Sequence, residues 1–238
     1  MILKPPKGAM LNRGHPYARG LVGLWLMNEG GGNTVADLSG NGNTGSLVAA
    51  PLFVGGKFGP ALSFNGLNNG NGNRVDIGDL NNATEGITAL SILLWARTPL
   101  TACPYTQYLI NKTSGADTFR IWWGTNESVF YDVYNDSAQS GQGAYTDAFE
   151  SDSEYHQCVG VYNGTDVRMY YDSKIGSNIG ALTGLTRSDA GIARIGGLSG
   201  YNAWNGQIDH VMIYNRALSA TEILNLYRNP FCMFEVDL

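Results

Sequence analysis

GQIDHVMIYNRALSATEILNLY, residues 206–227, is the stretch that decides the fold. Its first half is apolar and β-branched and reads as a strand; its second half reads as one short helix. Val211 and Ile213 share a strand face, and Ile208, Met212 and Tyr214 add apolar contacts, so both faces meet a packed layer. Strand alternation places Asp209 on the Val211/Ile213 face. A carboxylate there needs a partner, because an unpaired charge away from water is costly. The helix starts at Ser219, with Glu222 three residues on to complete a capping box and Leu218 set to staple onto Ile223. Pro230 marks its stop.

The 238 residues around this stretch include 32 glycines and are 43% hydrophobic and 15% charged. That balance fits a turn-rich sheet protein with a proper core and excludes a disordered chain. A net charge of −5 argues against a general nucleic-acid binder. Residues 1–28 hold Lys4, Lys7, Arg13 and Arg19 and no acid, so a basic N-terminal stretch joins an acidic body. Cys103, Cys158 and Cys232 are an odd number, with no disulfide framework and no zinc-type spacing. The N-terminus lacks the apolar core of a secretory signal, and no run of about 18 apolar residues spans a membrane.

In chain order, residues 1–19 read as an extended basic arm, since Pro5, Pro6, Gly8, Gly14 and Pro16 prevent helix. Apolar strands follow in GLVGLWLM (20–27), ALSFNG (61–66), RVDIGDL (74–80) and ITALSILLWAR (87–97). YLINKT (108–113) and DTFRIWWG (117–124) read as a hairpin, SVFYDVYND (128–136) as a strand, and 137–153 as a long polar loop. Residues 154–174 read as a hairpin turning at Asn163-Gly164, and IARIGGLSG (192–200) adds a strand. About a dozen strands at near-regular spacing predict a two-sheet sandwich or barrel rather than a βαβ fold.

Several of these segments carry a resemblance. The 206–227 stretch resembles the closing signature of laminin-G-like jelly-roll domains, which belong to the concanavalin A-like β-sandwiches. GLVGLWLMNEGGGNTVADLSGNGNTG (20–45) is similar to the family's opening strand and D-x-S-G-N-G turn. ALSFNG resembles its A-L-x-F-D/N-G, and EYHQCVGVYNG (154–164) its W-H-H-V-A-x-x-Y-D-G, with Tyr155 in place of Trp. The resemblance covers residues 20–228 and implies an all-β, two-sheet antiparallel jelly-roll sandwich over 20–230 with one short C-terminal helix. The arm 1–19 and an apolar tail, FCMFEVDL (231–238), flank it. Phe231, Met233 and Phe234 in that tail are expected to pack on the body or on a partner.

Three kinds of site follow. Calcium takes six to eight oxygens, and the turns supply Asp37, Asn41, Asn43 and Asn65, with Asp209 to complete the set. The resemblance implies calcium near the opening turn, although many relatives carry Asp where Asn65 stands. The competing reading has Asp37 and Asn43 making Asx-turns and Asp209 pairing with a backbone amide or an arginine. For sugar stacking, the candidates are Trp122 and Trp123, which face opposite sides of a strand, with Tyr134, Tyr201 and Trp204, and further Tyr131 and Tyr145; core packing is the competing reading. Glu150, Asp152 and Glu154 have the E-x-D-x-E form of β-glucanases. The outer two lie about 13 Å apart on a straight strand, beyond the roughly 5–5.5 Å of a retaining pair, and serines replace the anchoring apolar residues. The run therefore reads as a solvated acidic loop. His15, His156 and His210 are far apart in sequence, and no nucleophile elbow, P-loop or Rossmann fingerprint occurs.

The expectation is a non-enzymatic recognition module for a glycan or cell-surface ligand, calcium-stabilised, working outside the cell or on a phage or virus surface. The alternative is a structural decoration protein of a virion or other shell, meeting its own copies or capsid proteins through residues 1–19.

Overall fold

The structure, a computed structural model, describes residues 2–80, 83–113, 117–136, 142–146 and 152–234. A short 3₁₀ turn, Pro16–Ala18, precedes the strands. The first six strands are β1 Leu21–Trp25, β2 Thr34–Val35, β3 Gly45–Val48, β4 Leu52–Gly55, β5 Pro60–Asn65 and β6 Arg74–Asp76. The central five are β7 Leu90–Arg97, β8 Gln107–Thr113, β9 Asp117–Trp123, β10 Val129–Val133 and β11 Gln142–Tyr145. The last five are β12 His156–Tyr162, β13 Asp166–Tyr171, β14 Lys174–Ala181, β15 Ile192–Ile195 and β16 Asn205–Tyr214, followed by helix α1 Ala220–Arg228.

These strands form two antiparallel sheets. The first runs β14-β13-β12-β7-β16-β5-β4, with β1 also on β16; the second runs β11-β10-β9-β8-β15-β6-β3-β2. The jelly-roll sandwich expected from the sequence is therefore present. The core between the sheets gathers Trp25, Trp123 and Trp204 with Ile92, Leu94, Phe119, Ile121, Tyr131, Cys158 and Val211. Five strands are absent from the sequence reading: β2, β3 and β4 in the turn-rich segment 34–55, and β11 and β14. β11 lies within the stretch read as a loop, and β14 follows the expected hairpin; both are polar or Gly-bearing, and pairing to β10 and β13 rather than apolar alternation defines them.

β16 is the spine. β7 pairs along one edge, while the other edge is shared end to end: β5 takes Asn205–Ile208 and β1 takes Val211–Tyr214. A bulge between Ile208 and Val211 falls at that changeover. It flips the alternation, so Ile208 joins Val211 and Ile213 in the inter-sheet core. Asp209 consequently does not share the core with Val211 and Ile213 as simple alternation predicts, because a bulge adds a residue to one strand and reverses its facing.

The gap between β5 and β1 is filled by Lys4. Its ammonium lies 2.9 Å from Asp209 Oδ1. It also donates to Asp209 O at 2.7 Å and to Pro60 O. Residues 2–19 thus lie against the body rather than apart from it: Lys4 N donates to Phe58 O, Asn12 N to Met233 O, and Leu11 bridges to Phe234. Together with α1 and residues 231–234 they cover the outer face of the first sheet over Trp95, Val159, Met212 and Tyr214. The capping box forms as expected, Glu222 N donating to Ser219 Oγ and Ser219 N to Glu222 Oε2, and Leu218 and Ile223 are both buried. Among the described residues, no helix is long and apolar enough to cross a membrane.

Candidate functional site

The alternation of β9 and β10 builds the most functional-looking surface. Phe119, Ile121, Trp123, Val129, Tyr131 and Val133 enter the core. The opposite parity, Arg120, Trp122, Phe130 and Asp132, is turned outward across the second sheet. Cross-strand register then writes two rows. Tyr145, Phe130, Trp122 and Tyr108 are successive partners over β11, β10, β9 and β8. One pair-step along, Asp132, Arg120, Asn111, Arg194, Asp76 and Ser46 are successive partners from β10 to β3.

The rows interlock. Trp122 stacks on Phe130 with centroids 4.1 Å apart, and Phe130 meets Tyr145 at 5.4 Å. Asp132 Oδ2 accepts from Arg120 Nε and from Trp122 Nε1, both at 2.7 Å. Arg120 also donates to Asp117 Oδ2 at 2.9 Å and lies over the rings of Tyr108, Trp122 and Tyr134. Burial works against the Arg120 charge, but Asp132 and the neighbouring groups raise its pKa overall, so it stays charged. Two carboxylates face it, one charge more than it carries. Further along, Asp76 is held by Arg74 at 2.8 Å with Arg194 at 3.6 Å.

The aromatic row ends in loops rich in amides. Tyr108 N donates to Asn202 O, Asn202 N to Asn68 Oδ1, and Asn202 Nδ2 to Thr106 O. Gly200 O accepts from Gly70 N and Gly72 N, both at 3.0 Å. This approach requires glycine: Gly200 has φ +86° and a Cβ there would stand 2.3 Å from Gly70 O. The locked loops present Asn68, Asn69 and Asn71 to solvent beside Tyr201, which is 51% exposed.

The five predicted sugar-facing residues are thus split. Tyr201 is open and Trp122 is half-buried in the aromatic row. Trp123 and Trp204 are fully buried and meet edge to face at 5.9 Å, so they serve the core instead. Tyr134 is buried between Arg120 and Arg187. Of the further candidates, Tyr131 is a core residue and Tyr145 is exposed at the end of the row. Sequence reasoning missed Arg120, Phe130, Asp132 and Tyr108. The signal was the parity of FRIWW (119–123) and VFYDV (129–133), in which one face is apolar or aromatic and the other mixes aromatic with charge.

The predicted calcium ligands do not converge. Asp37 gives its carboxylate to the backbone N–H groups of Leu24, Ser39 and Asn43. Asn41 and Asn43 turn their amide nitrogens to the carbonyls of Leu21 and Val22. Asn65 closes the 65–73 loop by exchanging hydrogen bonds with Asn73. Asp209 faces an ammonium, His210 Nδ1 at 3.0 Å and Phe58 N at 3.2 Å. These residues do not fit one calcium ion as a set. Among the described residues, no group of three or more His, Cys, Asp or Glu is placed to hold a metal.

In the acidic run, Glu150 lies outside the described residues. Asp152 accepts from Glu154 N and meets His156 Nε2 at 3.0 Å, while Asp172 holds His156 Nδ1 at 2.7 Å. The His156–carboxylate trio clamps the 152–156 segment to the β13–β14 turn. His210 is spent on Asp209, so the two histidines do not pair.

The sequence profile of Laminin_G_3, described as Concanavalin A-like lectin/glucanases superfamily, matches residues 69–224, more than half of the chain. No curated protein matches. Among solved structures, the binding domain of Paraclostridial Mosquitocidal Protein 1 is similar at TM-score 0.68 and 16% identity, covering 88% of this chain and 52% of that one. Botulinum neurotoxin type C, which enters cells in dependence on interaction with two ganglioside molecules, is similar at TM-score 0.67 and 13% identity, covering 89% and 51%. This chain therefore spans about half the length of those toxin chains. Domain 4 of AbnA, a GH43 extracellular arabinanase from Geobacillus stearothermophilus solved with arabinotriose, is similar at TM-score 0.64 and 15% identity, covering 87% of this chain and 98% of that domain. At these identities the likeness shows the fold. With its profile match and two-sheet jelly roll, the chain belongs to the laminin-G-like family of the concanavalin A-like lectin/glucanase superfamily.

Proposed function

We propose that this chain is a non-enzymatic module that binds a neutral oligosaccharide along the second sheet, from Tyr145 to Tyr201. The observation that carries the reading is the aromatic row that runs across four strands into amide-bearing loops. Strands stand about 4.8 Å apart, so the row alone extends about 14 Å, a span for several sugar rings rather than one. Trp122 is already covered by Phe130 and Arg120, which leaves Tyr145, Tyr201 and the ring edges for the ligand. Along the face Arg120, Arg74 and Arg194 meet Asp117, Asp132 and Asp76, three charges of each sign, which suits a neutral ligand. The arabinotriose-bound arabinanase domain, matched over nearly its whole length, supports an oligosaccharide, and the toxin binding domains support a cell-surface glycan outside the cell.

An array of neutral oligosaccharides that includes arabinotriose, followed by calorimetry, tests this. Binding is expected, with Tyr201→Ala and Tyr145→Ala each weakening it roughly tenfold through lost ring contact. No binder at about 1 mM ligand, or binding untouched by either substitution, overturns the reading.

A further inference from the structure

On the outer side of the first sheet, two residues along β7 from Trp95, Arg97, Gln207 and Ser63 are successive cross-strand partners on β7, β16 and β5. With Asn205 and Ser153 they line a cavity of about 320 Å³, within the size range of small-ligand sites. Arg97 is held rather than loose. Its Nε donates to Gln207 Oε1 at 3.1 Å, one Nη1–H to Ser153 O at 3.4 Å, and its guanidinium lies 5.4 Å from the Tyr155 ring centre. Among the described residues no carboxylate pairs with it.

Gln207 is fixed as well. Tyr155 OH donates to the same Oε1 at 2.5 Å, so the amide orientation is set and Nε2 turns its two N–H groups away from both partners. Three kinds of donor are therefore left over on one short row: Nη2 with one Nη1–H of Arg97, Nε2 of Gln207, and the Ser63 hydroxyl. A planar guanidinium with an N–H left on each Nη matches the two oxygens of a carboxylate. The amide and hydroxyl groups beside it match hydroxyls.

We propose that this cavity is a second ligand site, one that takes a small carboxylate flanked by hydroxyls, such as a uronic acid. It lies on the sheet opposite the aromatic row and differs from it in charge: the row is internally neutralised, while the cavity holds a fixed positive charge with no acid among its described lining residues. Either site stands without the other.

The test follows the Arg97 Nε–H and Gln207 side-chain signals of the ¹⁵N-labelled full chain by NMR. The probes are sodium D-glucuronate, D-glucose and sodium acetate. Saturable shifts with glucuronate, weaker ones with acetate and none with glucose are expected. Arg97→Gln, checked for an unchanged dispersed spectrum, weakens glucuronate binding roughly tenfold to a hundredfold. Should Arg97→Gln not fold, Ser63→Ala gives a second reading through a smaller loss for glucuronate and none for acetate. Equal shifts with glucose, full retention of binding in Arg97→Gln, or no saturable shift up to about 50 mM glucuronate overturns the proposal. Equal affinity for acetate and glucuronate overturns its sugar component.

Discussion

Replacing Lys4 by Met tests whether the N-terminal stretch is part of the fold. The Lys4 and Asp209 side chains are 3% and 0% exposed and 2.9 Å apart. Removing one partner of such a pair strands the other charge and costs about 3–5 kcal/mol. For a chain of this length that corresponds to a drop in Tm of roughly 6–20 °C. The loss also depends on pH. Burial drives the Asp209 carboxyl up, but His210 and Lys4 together hold it below its ordinary value. Burial also holds the His210 imidazole down, and the Lys4 charge adds to that. Without Lys4, His210 takes a proton more readily and becomes the counterion of Asp209. The destabilisation should therefore be larger near pH 8 than near pH 5.5. Adding Asp209→Asn removes the stranded charge while keeping an acceptor for Phe58 N, so the double variant should lose less than the two single losses combined. Guanidinium unfolding followed by tryptophan fluorescence reads all four proteins. A Lys4→Met change within about 0.5 kcal/mol of zero, at the level of an ordinary surface substitution, would refute the reasoning.

Three further outcomes are expected. Burial lowers the His156 pKa, yet hydrogen bonds and charge from Asp172 and Asp152 outweigh it and raise the value overall. With the folded value above the unfolded one of about 6.5, the clamp contributes fully below that pH and is lost as pH rises through the folded value; a stability profile that keeps this step in His156→Asn would count against it. Gly160→Ala places a Cβ 2.3 Å from the buried Tyr131 ring, so a loss of about 1–3 kcal/mol is expected in the same unfolding assay, and unchanged stability would show that the two sheets are not so close there. Calcium should leave Tm where a chelator leaves it; a concentration-dependent rise would mean that the opening turn rearranges to gather its oxygens.

Much of the fold is legible because it rests on local chemistry. Ser219, Glu222 and Pro230 bracket the helix through caps that act within a few residues, and the apolar runs at 20–27, 87–97 and 206–214 become β1, β7 and β16. The candidate site is legible only in part. Strand parity rightly puts Trp122 and Trp123 on opposite faces, but chain order cannot say which face is the core, and in sequence Trp204 looks as available as Tyr201.

An all-β chain, its terminal helix and its family resemblance can be read from short windows, because period, capping and turn residues are local. Tertiary structure alone decided what Asp209 and Arg120 do. A bulge at the junction of β5 and β1 turned Asp209 out of the inter-sheet core and toward a lysine 205 residues away. Strand register set Arg120 against Asp132 and beside Trp122. Both outcomes depend on pairing between distant segments, where a one-residue shift reverses every side chain, and no window of sequence contains that information.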